Sequence, residues 1–229
     1  MLKWKNDKEL FALIKKELFT ALVGDIMDVM GFAQQFLPPQ IRPLKPEMVL
    51  VGRALTVLEA DCCWTRIASN NNEEKAFGLM LEALDDLKED EVYICSGGSP
   101  AYARWGGLMT IRAKYLKASG AVMDGYSRDT NQVLALDFPV FSWGNYAQDQ
   151  GIRGRVIDYR CPIEFPNRVH INPRDIIFGD IDGVVAIPSS IEEEVIEKAL
   201  EKARGENKVA MALNKGMSTQ KAFINFGIM

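Results

Sequence analysis

Apolar residues recur along this chain with two periods, one helical and one alternating, interrupted by a few continuous runs. Over residues 7–30, Leu10, Phe11, Leu13, Ile14, Leu18, Leu22, Ile26 and Val29 keep a mostly helical spacing. Thr20 is placed to cap a second helix beginning at Ala21, and Gly31 to close it. Asp25 and Asp28 on that helix read as a solvated or capping face. Residues 36–46 are proline-rich and form a connector. Residues 49–57 read as a strand whose Gly52 marks a bulge or a close approach. Asn70, Asn71 and Asn72 make a polar loop, residues 73–87 a helix and residues 92–95 a short buried strand. Residues 108–116 are helical again, opened by Trp105-Gly106-Gly107. Gly120-Ala121-Val122-Met123 is an apolar run that ends in an Asp124-Gly125 turn, the pattern of a buried strand running into a polar loop.

The second half is richer in short strands. Residues 138–141, 155–159 and 168–171 are strand-like, with Phe165-Pro166-Asn167 turning between the last two. Residues 176–188 hold two apolar runs joined by Asp182-Gly183, a hairpin signal in which Asp180 and Asp182 shape the turn. Ser189 or Ser190 caps a helix over residues 191–204, with Glu192, Glu193 and Glu194 at its positive end. Another helix covers residues 207–213, and Ser218-Thr219 starts a terminal helical turn. No repeat or linker divides the chain. It reads as one α/β domain over residues 1–229, with its core at about 20–190 and a helical extension over 190–229.

Composition narrows the chemistry. Of 229 residues, 48% are apolar and 25% charged, enough for a sizeable core. A net charge of -4 argues against general nucleic-acid binding. No apolar run approaches the length of a bilayer span, and residues 1–16 lack a signal-peptide core, so a cytoplasmic protein is expected. Cys62, Cys63, Cys95 and Cys161 have no CxxC spacing, which argues against a structural zinc site; at least three of them read as small buried hydrophobes. His170 is the single histidine, which excludes a multi-histidine metal site and leaves little for Ser-His-Asp or Cys-His catalysis. A metal here would take carboxylate and water ligands, which suits magnesium, manganese or calcium better than zinc.

Three segments carry candidate chemistry. Ser96-Gly97-Gly98-Ser99-Pro100 follows a strand and has the form of a turn or a backbone cradle for an anion, but fits neither a P-loop nor a dinucleotide fingerprint. The amides of Gly107, Leu108 and Met109 form the positive end of a helix, where carboxylates and phosphates bind. Arg128 offers a planar fork to a carboxylate, and Asp129 a hard oxygen to a divalent cation. By itself the Arg128-Asp129 pair reads as a surface ion pair. If the strands at 92–95 and 120–123 are parallel, the helix between them is a right-handed crossover. Both loops then open on the same sheet edge, and the helix start and the pair share one pocket.

Leu50-Val51-Gly52-Arg53-Ala54, Trp105-Gly106-Gly107-Leu108, Asp124-Gly125 with Arg128-Asp129, Phe138-Pro139-Val140 and residues 179–185 occur in that order. From about Thr20 onward the chain resembles the family of the regulator of ribonuclease activity A and the 4-hydroxy-4-methyl-2-oxoglutarate aldolases. The resemblance implies a β/β/α swivelling-type fold assembled as a homotrimer or a dimer of trimers. It also implies a small 2-oxo acid substrate bound by Arg128 and by the Leu108 and Met109 amides, and Mg2+ or Mn2+ on Asp129. The older label of demethylmenaquinone methyltransferase finds no glycine fingerprint for the methyl donor in this chain. One departure stands out: the aldolases carry an acid where this chain has Gly107, so Asp124, Glu206 or a neighbouring subunit would have to replace it. Pro173-Arg174-Asp175 replaces the family's Pro-Gly-Asp, a structural change. The first expectation is a metal-dependent lyase cleaving a C–C bond of a 2-oxo acid, with Arg128 catalytic. The alternatives are a non-catalytic binder of a ribonuclease, and a related sugar-acid or hydroxy-acid lyase or dehydratase.

Overall fold

The computed structural model describes residues 4–62 and 77–227; the Asn70–Asn72 loop, the start of the helix expected from residue 73 and Cys63 fall outside them. The chain opens with α1 (Asp7–Glu17) and α2 (Thr20–Val29). Asn6 caps α1, accepting a 2.9 Å bond from the Glu9 amide. Thr20 does not cap α2. It is the first helical residue, and both its amide and its hydroxyl bond the Asp180 carboxylate, at 2.8 and 2.7 Å. A side chain distant in sequence therefore supplies the cap. Asp180 also shapes its own turn, accepting from the Asp182 amide at 2.9 Å.

Within the connector lies β1 (Arg42–Pro43). The strand expected over 49–57 is β2 (Leu50–Asp61), twelve residues long. Then follow α3 (Met80–Asp85), β3 (Glu91–Gly97), β4 (Ala103–Trp105), α4 (Gly107–Tyr115), β5 (Gly120–Met123), β6 (Tyr126–Ser127), α5 (Thr130–Ala135) and β7 (Val140–Ser142). The remaining strands are β8 (Gly154–Tyr159), β9 (Ile163–Glu164), β10 (His170–Ile171), β11 (Ile176–Asp180) and β12 (Gly183–Ile187). The chain closes with α6 (Glu192–Asn214) and α7 (Thr219–Phe226). The two helices expected over 191–204 and 207–213 are thus one helix of 23 residues. Gly205 interrupts neither its hydrogen bonding nor its packing against α2, since helix propensity is a weak constraint beside a buried stripe. Neither Ser189 nor Ser190 caps α6: its N-cap is Ile191, without a side-chain bond.

Eight strands form one mixed sheet in the order β1-β7-β5-β3-β2-β11-β12, with β8 paired to the far half of β2. The pairs β2/β3, β3/β5 and β5/β7 are parallel, as the crossover reading requires, and β11/β12 is the expected hairpin. Gly52 is a close approach rather than a bulge: a Cβ there would lie 2.5 Å from the Asp90 carbonyl oxygen. The Arg42 guanidinium bonds the carbonyls of Ile181 and Asp182, bringing the first strand to the last and curling the sheet toward a barrel.

Both faces of the sheet are covered, which is why its strands read as continuous apolar runs. Leu50, Ala54, Val92, Ile94, Val122 and Phe141 point to an inner core. Alternate residues Leu55, Val57, Tyr93, Cys95, Ala121 and Met123 point to an outer one. Helices α1, α2 and α6 close a third core over β11 and β12. Arg53, 8% exposed, clamps these parts by bonding Asp7 at 2.6 and 2.9 Å and Glu192 on α6.

Candidate active site

Two short strands place the candidate residues. Parallel pairing of β4 and β6 sets Trp105 opposite Ser127, and the Arg128 amide bonds the Trp105 carbonyl at 2.9 Å. The next residues on each side, Gly106-Gly107 and Arg128-Asp129, therefore meet. Asp129 adopts a left-handed conformation (φ 55°), which Asp tolerates better than most residues, and its carboxylate turns toward α4. Its Oδ2 accepts a 3.0 Å bond from the Gly107 amide. A Cβ at Gly106, the N-cap of α4, would sit 2.7 Å from the same oxygen, so a side chain there would displace the carboxylate from the helix end. The first intrahelical bond of α4 is Thr110 to the Gly106 carbonyl, which leaves the Leu108 and Met109 amides without intrahelical partners.

Arg128, Asp129, Leu108 and Met109 line a cavity of about 430 Å³, together with an apolar wall that includes Phe77, Met80, Leu84 and Trp105. The expected residues are thus gathered, with one difference: the Gly107 amide is already occupied by Asp129. The Arg128 Nη1 pairs with Asp149 Oδ1 at 2.9 Å, and its Nε lies 3.8 Å from Asp129 Oδ2. All three side chains remain between 38% and 45% exposed, so the ion pairs do not fill the cavity. No described residue bonds Asp129 Oδ1.

Asp124 and Glu206, considered as replacements for the acid missing at 107, lie elsewhere. Asp124 is buried behind the cavity on Ser96 Oγ, 3.1 Å away, and Glu206 faces Lys202 on α6 at 3.7 Å. At 107 itself a Cβ would meet the Gln132 Oε1 at 1.9 Å. The glycine-rich loop after β3 is not an open anion cradle. The Ser99 amide and hydroxyl and the Tyr102 hydroxyl all donate to Asp61 Oδ1, which is thereby held below the usual carboxylate range.

Beneath the cavity lies a buried polar group absent from the candidate segments above. Arg104 and Gln150 belong to the cavity wall, and behind them sits Glu59, 2% exposed, 3.5 Å from Arg104 Nε and 3.4 Å from Gln150 Nε2. Burial pushes the Glu59 carboxyl up to about 7, against the pull of Arg104, and raises Asp124 as well. Among the described residues, Glu59 Oε1, Asp124 Oδ1 and two Arg104 nitrogens have no hydrogen-bond partner. The signal for Glu59 was present: a carboxylate interrupting the apolar run of residues 54–60. Asp149 carried none, sitting in an ordinary polar loop.

The sequence profile of the RraA-like family, described as Aldolase/RraA, matches residues 20–186. The chain belongs to the RraA-like family. A Halalkalibacterium halodurans protein named "Putative 4-hydroxy-4-methyl-2-oxoglutarate aldolase" is 29% identical over 208 residues, 90% of this chain and 89% of that one. Protein DlpA of Legionella pneumophila is 28% identical over 204 residues, 89% of this chain; these span only 31% of that longer protein. The solved structure of Streptomyces coelicolor RraAS2, an unusual member of the RNase ES inhibitor RraA protein family, has a TM-score of 0.76 at 21% identity, covering 91% of this chain and 99% of that one. At that identity the likeness is one of fold: an RraA-like α/β architecture with helices beyond the sheet.

Proposed function

We propose that this RraA-like protein is a divalent-metal-dependent lyase that cleaves a C–C bond of a small 2-oxo acid, by retro-aldol reaction or by decarboxylation of oxaloacetate. The supporting observation is the convergence, in one cavity, of Arg128, Asp129 and the amides of Leu108 and Met109, which have no partner among the described residues. The amides take the substrate carboxylate and fix its orientation. Arg128 takes the 2-oxo oxygen and faces the charge that forms there as the bond breaks. The apolar wall thins the water around that charge. Among the described residues no three His, Cys, Asp or Glu side chains form a ready metal cage. Asp129, half-exposed with Oδ1 unbonded, suits Mg2+ or Mn2+, which are held by one or two carboxylates while keeping water and substrate oxygens. Such a cation supplies, when bound, further positive charge at the 2-oxo group.

Leu81 and Leu108, which line the cavity, are exposed on α3 and α4, Leu108 at 79%, and Ile111 and Tyr115 are exposed further along α4. That apolar surface supports a homotrimer or dimer of trimers with the cavity near a subunit boundary. No described helix is long and apolar enough to cross a membrane, and we place the activity in the cytoplasm. A second reading, a non-catalytic partner of a ribonuclease, draws on the absence of an acid at Gly107 and on the RraA name of a structural neighbour. The deciding experiment is pyruvate release from oxaloacetate with added Mg2+ or Mn2+. Activity is expected in the wild type, abolished by a chelator and by Asp129→Ala; turnover surviving Asp129→Ala contradicts the assignment.

A further inference from the structure

Resting on the 2-oxo acid reading, we propose that Asp149 is the group that moves the proton. Position 107 carries no side chain, and the Gln132 amide stands where one would begin. Three carboxylates line the cavity among the described residues: Asp85, Asp129 and Asp149. Asp85 is at the rim, bonded to Arg112 Nε at 2.7 Å. Asp129 is committed to the start of α4 through Oδ2. Among the described residues Asp149 makes the closer ion pair with the Arg128 guanidinium, the group that receives the 2-oxo oxygen: 2.9 Å, against 3.8 Å for Asp129.

The backbone holds Asp149 firmly although its side chain is half-exposed. It forms a parallel bridge to Ala103 of β4, its carbonyl accepts a bond from Arg153 Nη1 at 3.0 Å, and its Oδ2 accepts from the Gly151 amide at 3.0 Å. Its Oδ1 is the movable partner. A substrate oxygen taking up Arg128 Nη1 displaces Oδ1 and leaves that oxygen an unpaired acceptor beside the bound substrate. Substrate binding thus frees the base at the site of its use.

With a 4-hydroxy-2-oxo acid the step balances within the substrate. Asp149 accepts the C4 hydroxyl proton as the C3–C4 bond breaks. The C4–O bond becomes a carbonyl, and the broken bond's electron pair forms the C2–C3 double bond with the charge on the C2 oxygen, facing Arg128. Asp149 then returns the proton to C3, so pyruvate and a second carbonyl compound leave and the carboxylate is restored.

The same C3 transfer exchanges the methyl protons of pyruvate for deuterium. The test follows that exchange by proton NMR in heavy water with Mg2+, and pyruvate affinity by calorimetry. For Asp149→Asn the expectation is exchange slowed by about 10²–10⁴-fold with affinity changed by less than about tenfold. Exchange within a few-fold of wild type overturns the role of Asp149 while leaving the lyase reading in place. Loss of affinity together with exchange makes Asp149 a positioning residue for Arg128 and also overturns it. A wild type that neither binds nor exchanges pyruvate refutes the underlying reading instead. Should Asp149→Asn not fold, Asp149→Glu asks the same question: displacing the carboxylate by one methylene is expected to slow exchange without weakening binding, and unchanged exchange counts against the proposal.

Discussion

Glu59→Gln probes the buried group under the cavity and has a magnitude that the structure sets. Glu59 is 2% exposed, and burial pushes its carboxyl from the ordinary 4.5 up to about 7 despite Arg104 at 3.5 Å. In the unfolded chain the group ionises near 4.5, so between 4.5 and 7 the folded protein binds the extra proton. Stability from this group is therefore complete below 4.5 and is lost as pH rises through 7. At about 1.4 kcal/mol per pH unit, the gap corresponds to about 3 kcal/mol. Glutamine keeps the shape and a donor and acceptor but cannot ionise, so the variant escapes this loss. Urea unfolding at intervals from pH 4.5 to 8 measures it. The wild-type minus Glu59→Gln difference is expected to slope across that window, with the variant gaining on wild type by about 3 kcal/mol at the top. Taking the difference cancels groups that titrate alike in both proteins, although part of the slope is shared with Asp124, itself raised by burial. Parallel curves would show that Glu59 stays ionised on Arg104 at every pH tested, and the reasoning would fail.

Two further substitutions test how the frame is held. Arg53→Met leaves Asp7 and Glu192 without their shared cation; because both carboxylates are partly exposed, a loss of about 1–3 kcal/mol in urea unfolding is expected. Asp180→Ala removes the cap of α2 from outside the helix and should cost about 1 kcal/mol, with faster amide hydrogen exchange at Thr20 as its local signature.

The chain's own pattern determined which segments could be buried. Runs such as residues 92–95 and 120–123 were legible as buried strands because both their faces are covered, and their parallel pairing came from the structure. The helix end at Gly107–Met109 and the pair Arg128-Asp129 were legible because glycine and charge stand at strand ends. Helix caps and breaks were misread where distant contacts overrode them: Asp180 reaches Thr20 across 160 positions, and packing carries α6 through Gly205. Only the tertiary structure decided that β4 and β6 pair, that Asp129 takes the Gly107 amide and that Asp149 meets Arg128. These depend on strand register, and a difference of one residue would turn each side chain to the opposite face. Periodicity records which residues leave water; it does not record which polar groups, distant in sequence, are brought within a hydrogen bond of one another.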